Sequence, residues 1–394
     1  MRSVDEHRQV VARLIKPRPP VDIPLSGALG LVLAQDVVAG LALPAFDNSA
    51  MDGYAVLAED VADAGADHPV RLPVAEDIPA GRTDIPALTP GTAHRIMTGA
   101  PLPGGATAVI PVEATDAATD VVTIRAGARR GQHIRRAGED VTAGTTVLRA
   151  GQMLTPAALG LAAALGLAEL TVRPRLRVLV VSTGTELVSA GTPLQPGQIY
   201  ESNGVMLAAA VRDAGAEVVA APMTGDDVTA FTTAVRDAGD ADVVLTTGGV
   251  SAGAYEVVKD AWSDQVEFVK VAMQPGMPQG AGVVDGTAVI TLPGNPVSAL
   301  VSFEVFVRPA LRAAMGLADA ERPRRSAVLA EDLTSPKGKR QFRRGVLDGD
   351  SVTSYGPPAS HHLRWLASAN CLLELDEDTT QAAAGSRVQV WDLR

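Results

Sequence analysis

Cysteine is almost missing from the chain, which carries only Cys371. No disulfide can close within it, and neither a Cys-rich zinc site nor a redox dithiol is possible. The N-terminus, MRSVDEHRQVVARL, has no apolar core of the kind a signal peptide needs. A long apolar run is also lacking. The longest uncharged stretch, Ala150–Ala168, contains Gln152, Thr155, Pro156 and three glycines, a poor membrane span. There is no basic excess, since 34 Lys and Arg face 45 Asp and Glu, so a dedicated nucleic-acid binder is disfavoured. The acids are dispersed, so no acidic tail is visible. No GxxxxGK[ST] loop, no His/Cys metal spacing and no locally supported Ser-His-Asp set is found. Repeats and low-complexity segments are absent. Together these absences predict a soluble, cytoplasmic protein without membrane or nucleic-acid partners.

What is present is ample core-forming material, with 46% hydrophobic residues over 394 positions, enough for two to four domains. Val4–Ile15 reads as an amphipathic helix, closed by the proline-rich Pro17–Pro24. Short β-prone runs follow at Tyr54–Leu57, Val70–Val74, Ala93–Met97, Thr107–Val112 and Val121–Arg125. Their turn-rich spacing predicts a small β module. In Ala150–Ala168, Thr155 reads as N-cap, Pro156 as the first helical residue and Gly166 as the stop.

Beyond Arg177 strands and helices alternate. Strands are expected at Val178–Ser182, Glu217–Ala221, Asp242–Thr246, Val266–Val271 and Ala288–Leu292, and helices at Ser202–Ala214, Val228–Ala238 and Val297–Met315. That alternation predicts a doubly wound, mostly parallel sheet, with ligands beyond the carboxyl ends of its strands. Glu321–Arg325 reads as a linker, and Ser326–Arg394 as a β-rich tail with one helix near His361–Ala369. The fold class is therefore multidomain α/β plus β: a central doubly wound sheet domain, N-terminal helical and β modules, and a C-terminal β-rich domain.

Three loops follow expected strands: Thr183-Gly184-Thr185-Glu186, Thr247-Gly248-Gly249-Val250-Ser251-Ala252-Gly253 and Pro293-Gly294-Asn295-Pro296-Val297-Ser298. Glycine lets backbone amides approach a phosphate, and a following helix N-terminus favours negative charge. Each loop alone reads as an ordinary turn, whereas three at one sheet edge make an anionic-ligand pocket. Glu186, Asp226, Asp227 and Glu256 lie in or near these loops. Carboxylates beside a phosphate need a cation between them, and Mg²⁺ suits oxygen ligands. For Asp226, which precedes a helix, capping is the first reading and catalysis the second. The pair His361-His362 reads as a solvated helix face at least as well as a metal site.

The strings PAFDNSAMDGYAV, IMTGAPLPGGATAVIPVE, GQHIRRAGED, STGTEL, TTGGVSAGAYEVVK, LPGNPVSALVSFEVFVRP and SHHLRWLASAN occur in this order. Together, from about residue 5 to the C-terminus, the chain closely resembles the molybdopterin molybdenumtransferase family, the bacterial MoeA proteins and the E domain of gephyrin. The resemblance implies a homodimer with four domains per chain. Domain I would be 1–41 with 137–174 and domain II the β-rich insert 42–136. Domain III would be the MogA-like α/β domain 175–320, and domain IV the C-terminal module 321–394.

It further implies a cleft shared between chains, with Asp52, Thr98 and Asp140 from one and Glu186, Asp226, Glu256, Pro293 and Pro296 from the other. Thr183, Gly184, Gly248, Gly249, Ser251, Gly294, Asn295 and Ser298 would bind substrate. The implied reaction joins adenylylated molybdopterin and molybdate, with Mg²⁺ held by Glu186, Asp226 and Glu256, giving molybdenum cofactor and AMP. A MogA-type adenylyltransferase and molybdoenzymes would be the implied partners. The family often has Asp at the positions of Thr185 and Glu256. It usually has Lys-Pro-Gly-Lys-Pro where this chain has Gln274-Pro275-Gly276-Met277-Pro278. Ser298, Lys339 and Ser360 are the nearby residues expected to compensate for the two missing lysines. Two readings follow: a molybdenum-inserting enzyme, or a catalytically weakened paralogue acting as a scaffold for the cofactor pathway.

Overall fold

The computed structural model describes residues 1–249 and 257–394. They divide into two compact units, one of Met1–Asp22 with Thr171–Arg394 and the other of Ile23–Leu170. The units cut the chain differently from the four expected segments, because residues 1–22 pack with the α/β core.

That core is one sheet. Its strands are β1 (Arg177–Thr183), β2 (Glu217–Ala220), β3 (Met223–Thr224), β4 (Val243–Thr247), β5 (Val266–Lys270), β6 (Pro278–Val284) and β7 (Thr287–Leu292). The spatial order is β2-β1-β4-β7-β6-β5, with β3 continuing beside β1. The first four in that order are parallel. Strand β6 is antiparallel to both β7 and β5. Two reversals restore the direction, so β5 runs with β1, β4 and β7.

Alternate residues of the parallel strands point to opposite faces, and both faces are buried. Val178, Val180, Val243 and Leu245 enter one core, and Leu179, Val181 and Val244 the other. Helix α1 (Val4–Leu14) covers the first face through Val4 and Val11, with Ile15 just beyond its end, and Ser3 and Glu6 form its capping box. Helices α2 (Asn203–Asp213), α3 (Val228–Asp237) and α4 (Val257–Trp262) are the connections. Leu207 and Val211 of α2 join the first core, and Phe231 of α3 and Trp262 of α4 meet edge to face in the second.

Strand β6 is absent from the sequence expectation because PQGAGVV is a weak strand by composition. Its glycines are demanded by contact. A Cβ on Gly280 would lie 2.1 Å from Thr291 Oγ1, and one on Gly282 would lie 2.1 Å from the Gln265 carbonyl oxygen. The helix expected over Val297–Met315 is interrupted by a wide turn at Phe303–Val307, between α5 (Pro296–Ser302) and α6 (Arg308–Ala314). Pro309 has no N–H for the Val305 carbonyl. Arg8 Nε from α1 donates to it instead, at 3.3 Å.

The C-terminal residues build a six-stranded sheet that includes Arg324–Leu329, Arg340–Asp348, Cys371–Leu375 and Arg387–Asp392, plus the short Met273–Gln274. Leu329, Leu347, Val352, Leu373 and Val390 fill its core. The expected linker at Glu321–Arg325 is corrected by this structure. Arg322 clamps Glu304 at 2.9 Å and Asp213 at 2.8 Å, and strand structure begins at Arg324. Helix α7 (Leu363–Ala367) is shorter than expected and starts after the His361-His362 pair.

In the second unit a five-stranded sheet runs in the order Ala108–Pro111, Gly53–Val56, Ala93–Ile96, Val70–Ile78, Val121–Ile124. These are the five expected β-prone runs. The Ala/Leu helix spans Pro156–Ala164, with the Thr155 hydroxyl accepting from the Ala158 amide and Pro156 at its start. Its Leu161 and Leu165 pack with Ala39 and Val141. Among the described residues, no helix is long and apolar enough to cross a membrane.

Candidate functional site

A pocket of about 1130 Å³ opens at the carboxyl ends of the parallel strands. The loop after β1 contributes Thr183, Gly184 and Glu186, and the loop after β4 contributes Gly248 and Gly249. The loop after β7 contributes Pro293, Gly294, Asn295, Pro296 and Ser298, while Asp226 follows β3 and Ser360 comes from the C-terminal module. Residues far apart in sequence thus converge because parallel strands end at one edge.

The floor is a polar cross-link among these loops. Asn203, at the start of α2, donates from Nδ2 to Thr247 Oγ1 at 3.0 Å and to the Gly294 carbonyl at 2.6 Å. Thr247 Oγ1 donates to the Pro293 carbonyl at 3.2 Å. The Val297 amide donates to the Ser360 carbonyl at 3.0 Å, tying the C-terminal module to the same loop. Gly248 has φ +94°, and a Cβ there would sit 2.5 Å from the Thr183 carbonyl oxygen, so only glycine lets the first two loops approach this closely. Among the described residues, Asn203 Oδ1 is buried with no hydrogen-bond partner. A buried orphan acceptor costs roughly 1–3 kcal/mol, which a ligand N–H would recover.

Two acids of the expected set face this pocket. Asp226 Oδ2 accepts from the Thr185 amide at 3.2 Å and from its hydroxyl at 2.8 Å. The helix cap is the next residue, Asp227, whose Oδ1 accepts from the Ala230 amide at 2.7 Å. The capping reading of Asp226 is therefore corrected: the chain has a separate cap, and Asp226 is left to the pocket. Glu186 folds back over Gly184, where a Cβ would meet both its carboxylate oxygens at 2.8 Å. Among the described residues, no group of three or more His, Cys, Asp or Glu is arranged to hold a metal. The oxygens of Glu186 and Asp226 are hard ligands, and Mg²⁺ commonly takes one or two carboxylates plus substrate phosphates. The donor set fits that ion.

Other expected residues fall elsewhere. Glu256 and Ser251 lie outside the described residues. Lys339 precedes the Arg340–Asp348 strand and does not line the pocket, so its expected compensating role is not supported. Asp52 and Thr98 meet in the second unit: the Thr98 amide donates to Asp52 Oδ1 at 2.6 Å. That amide, followed by the Thr98 hydroxyl, holds the Asp52 carboxyl below the usual carboxylate range. Asp140 is exposed in the same unit, its amide bonded to the Leu43 carbonyl at 3.0 Å. Among the described residues, no hydrogen bond links its side chain to the Asp52–Thr98 pair.

Among the pocket residues that the sequence reading did not single out are Tyr200, Glu201, Asn203 and Lys270. Glu201 Oε1 accepts from Ser182 Oγ at 2.9 Å and from the Gly204 amide at 2.5 Å, fixing the start of α2. The string ESN before an expected helix was the available signal for Glu201 and Asn203. For Lys270 it was the position at the end of a strand. His361, read as part of a solvated face, also lines the pocket, its ring centroid 4.3 Å from that of His362.

A doubly wound sheet with glycine-lined loops and two hard carboxylates at its strand ends defines an α/β protein with a polar pocket at its strand ends. Family comparison narrows the class. Residues 2–166 match the MoeA N-terminal region (domain I and II), 179–313 a probable molybdopterin binding domain, and 326–393 the MoeA C-terminal region (domain IV). The chain is 67% identical over 404 aligned residues, covering 100% of both sequences, to molybdopterin molybdenumtransferase 2 of Mycobacterium tuberculosis (strain H37Rv). It is 40% identical to molybdopterin molybdenumtransferase 1 of that strain, over 99% of this chain and 98% of the relative. A crystal structure of a molybdopterin biosynthesis MoeA protein from Pyrococcus horikosii superposes with a TM-score of 0.82 at 30% identity, covering 100% of this chain and 99% of that one. The chain belongs to the MoeA family of molybdopterin molybdenumtransferases.

Proposed function

We infer that the chain is a transferase of molybdenum cofactor biosynthesis, inserting molybdenum from molybdate into adenylylated molybdopterin with release of AMP. The observation that carries this is full-length membership in the family together with a pocket that gathers its expected loops. The scaffold alternative has no observation in its favour. Release of AMP from adenylylated molybdopterin, measured with and without molybdate, tests the reading. Molybdate-dependent release supports it, and none under either condition refutes it.

In this reading the backbones of Thr183–Gly184, Gly248–Gly249 and Pro293–Pro296 cradle the phosphates, and Asn203 Oδ1 accepts from a ring N–H of the substrate. Ser298 and Ser360 contribute hydroxyls from the pocket wall. Glu186 and Asp226, with Glu256, would hold Mg²⁺, which neutralises phosphate charge when bound. No side chain is needed as a covalent nucleophile, and positioning and charge compensation carry the chemistry. Removal of Mg²⁺ should stop AMP release, and its return should restore it. Ser251 would add a further hydroxyl from the glycine-rich loop.

We further propose a cytoplasmic homodimer in which Asp52, Thr98 and Asp140 serve the pocket of a second protomer. The family resemblance supports this assignment. Light scattering should give twice the chain mass of 40.6 kDa, and a monomer mass would remove the shared site. A MogA-type adenylyltransferase would supply the substrate, and molybdoenzymes would receive the product.

A further inference from the structure

One acid of the pocket is held by a neighbour that carries no charge. Strands β1 and β3 run parallel with Thr183 opposite Thr224, so the loops that leave them lie side by side. The Gly184 amide donates to the Thr224 carbonyl at 3.0 Å, and just beyond that bond Asp226 meets Thr185. Asp226 Oδ2 accepts from the Thr185 amide at 3.2 Å and from its hydroxyl at 2.8 Å. The Asp226 amide donates to Thr185 Oγ1 at 3.2 Å. A hydroxyl that accepts from one group has its proton left for another, and here that proton goes to the carboxylate. Among the described residues, no hydrogen bond engages the second oxygen, Oδ1, and Asp226 lines the pocket.

Glu186 follows Thr185 directly. Both its carboxylate oxygens lie 2.8 Å from the point that a Cβ on Gly184 would occupy, so the glycine admits them. The Gly184–Glu186 turn therefore carries one acid and holds the other through Thr185.

This contact limits what Asp226 can offer a cation. A carboxylate binds a metal through one oxygen or through both, and binding through both would strip Oδ2 of its two donors. Asp226 is left to ligate through Oδ1 alone. Mg²⁺ demands near-ideal octahedral geometry, with single oxygens at about 2.0–2.1 Å and several retained waters, whereas Ca²⁺ accepts more oxygens and readily takes both from one carboxylate.

We propose that Thr185 is a positioning residue for the cation, and that its hydroxyl holds Asp226 to one-oxygen ligation and so favours a small octahedral ion over Ca²⁺. The proposal rests on the reading in which Glu186 and Asp226 hold Mg²⁺. Groups that orient a ligand without touching the metal commonly change affinity by about 10- to 100-fold. Here the same orientation also discriminates, because the second oxygen of a released Asp226 suits only the larger ion.

The test uses Mn²⁺ alone as probe, followed by its paramagnetic resonance signal, on the full chain, with Mg²⁺ and Ca²⁺ as competitors. The proteins are the parent, Thr185→Val, Thr185→Ser and Asp226→Asn. Thr185 is exposed, and valine keeps its shape and its backbone amide while removing the hydroxyl, so circular dichroism should not change. We expect the ratio of Ca²⁺ to Mg²⁺ concentrations needed for half-displacement to fall about fivefold or more in Thr185→Val and to stay within about twofold of the parent in Thr185→Ser. An unchanged ratio in Thr185→Val overturns the proposal, as does a Thr185→Ser that behaves like Thr185→Val, or a parent chain that binds no Mn²⁺. Asp226→Asn should weaken Mn²⁺ binding about tenfold or more. Binding at the parent's level would place the ion elsewhere and overturn the metal assignment together with the proposal. AMP release from adenylylated molybdopterin, run on the same proteins, separates these results from the broader reading. Mg²⁺-dependent release that persists beside an unchanged ratio leaves the insertion reading standing and removes only the role of Thr185.

Discussion

Thr185 and Asp226 clasp each other across the pocket rim. The Thr185 amide and hydroxyl both bond Asp226 Oδ2, at 3.2 and 2.8 Å, and the Asp226 amide returns to Thr185 Oγ1 at 3.2 Å. One carboxylate oxygen is thereby fixed. Asp227, one residue on, turns away to cap α3. Two adjacent acids thus have separate work, one in the helix and one in the pocket.

Substitution should separate those roles. Asp226→Asn removes the charge while preserving size, and we expect AMP release to fall at least about tenfold with an unchanged circular dichroism spectrum. Asp227→Ala should cost about 1 kcal/mol of stability, the usual cost of a lost N-cap, with a rate within about twofold of the parent. Rate assays and urea melts on both variants decide it. A slow Asp227→Ala beside a normal Asp226→Asn would exchange the assignments.

His7 should make the protein acid-sensitive. It lies buried in α1, its ring 4.7 Å from Phe306 in an edge-on contact, with Nε2 unpartnered among the described residues. Burial, and secondly the Arg2 guanidinium, push its pKa down from 6.5 to about 4, while Glu267 opposes them. The unfolded chain therefore binds a proton at higher pH than the folded one. Stability from this group is full above about pH 6.5 and is lost as pH falls toward about 4. The loss is on the order of 3 kcal/mol at most. His7→Leu should flatten the stability profile across that window, read by urea denaturation at several pH values. An unchanged slope would assign the acid sensitivity to carboxylates.

The parallel strands and their loops were legible because each element obeyed its local rule. Val178–Val181 and Ala288–Ile290 are unbroken apolar runs, and Thr155-Pro156 with Gly166 marks both ends of a helix. Strand β6 was hidden because packing overrode propensity: its glycines exist to admit Thr291 and the Gln265 backbone. The wide turn before Pro309 depended on Arg8, which is far away in sequence. At the site, the glycine loops were readable, but the Thr185–Asp226 clasp and the Asn203 cross-link were not. Those contacts exist only once several strand ends share an edge.

The glycines of β6 provide a direct test of that override. Gly282→Ala would press a Cβ onto backbone, 2.1 Å from the Gln265 carbonyl oxygen and 2.7 Å from the Val266 Cα. Backbone has little room to yield, so we expect a loss of about 3 kcal/mol or more, or no soluble protein. Gly280→Ala instead meets Thr291 Oγ1, a buried hydroxyl with no partner among the described residues. Thr291→Ala should therefore rescue part of the Gly280→Ala loss, by about 1 kcal/mol in a double-mutant cycle, and should not rescue Gly282→Ala. Additive effects at 280 and 291 would show that the Phe268 ring, 3.0 Å from the same position, is the true obstacle.

A lysine at position 277 should strengthen anion binding in the pocket. Met277 lines it and is half-buried, so a similar unbranched stem can carry an ammonium to the same wall. Its loop is held by other residues. Gln279 Nε2 donates to the Gly276 carbonyl and to Ser302 Oγ, both at 2.6 Å, and the Met277 carbonyl accepts from Val271 at 2.7 Å. The substitution should hardly change stability. At an effective dielectric near 20, a charge about 4 Å from a unit anion contributes on the order of 4 kcal/mol before desolvation. Desolvation and side-chain ordering reduce this to about 1–2 kcal/mol, or roughly tenfold in affinity. Met277→Lys, alone or with Gln274→Lys, should therefore lower the molybdate concentration needed for half-maximal cofactor formation. The measurement is a molybdate titration at fixed ionic strength comparing the three proteins. If the curves superimpose, the anion sits away from residue 277, and Ser298 and Ser360, which line the pocket, become the positions to vary next.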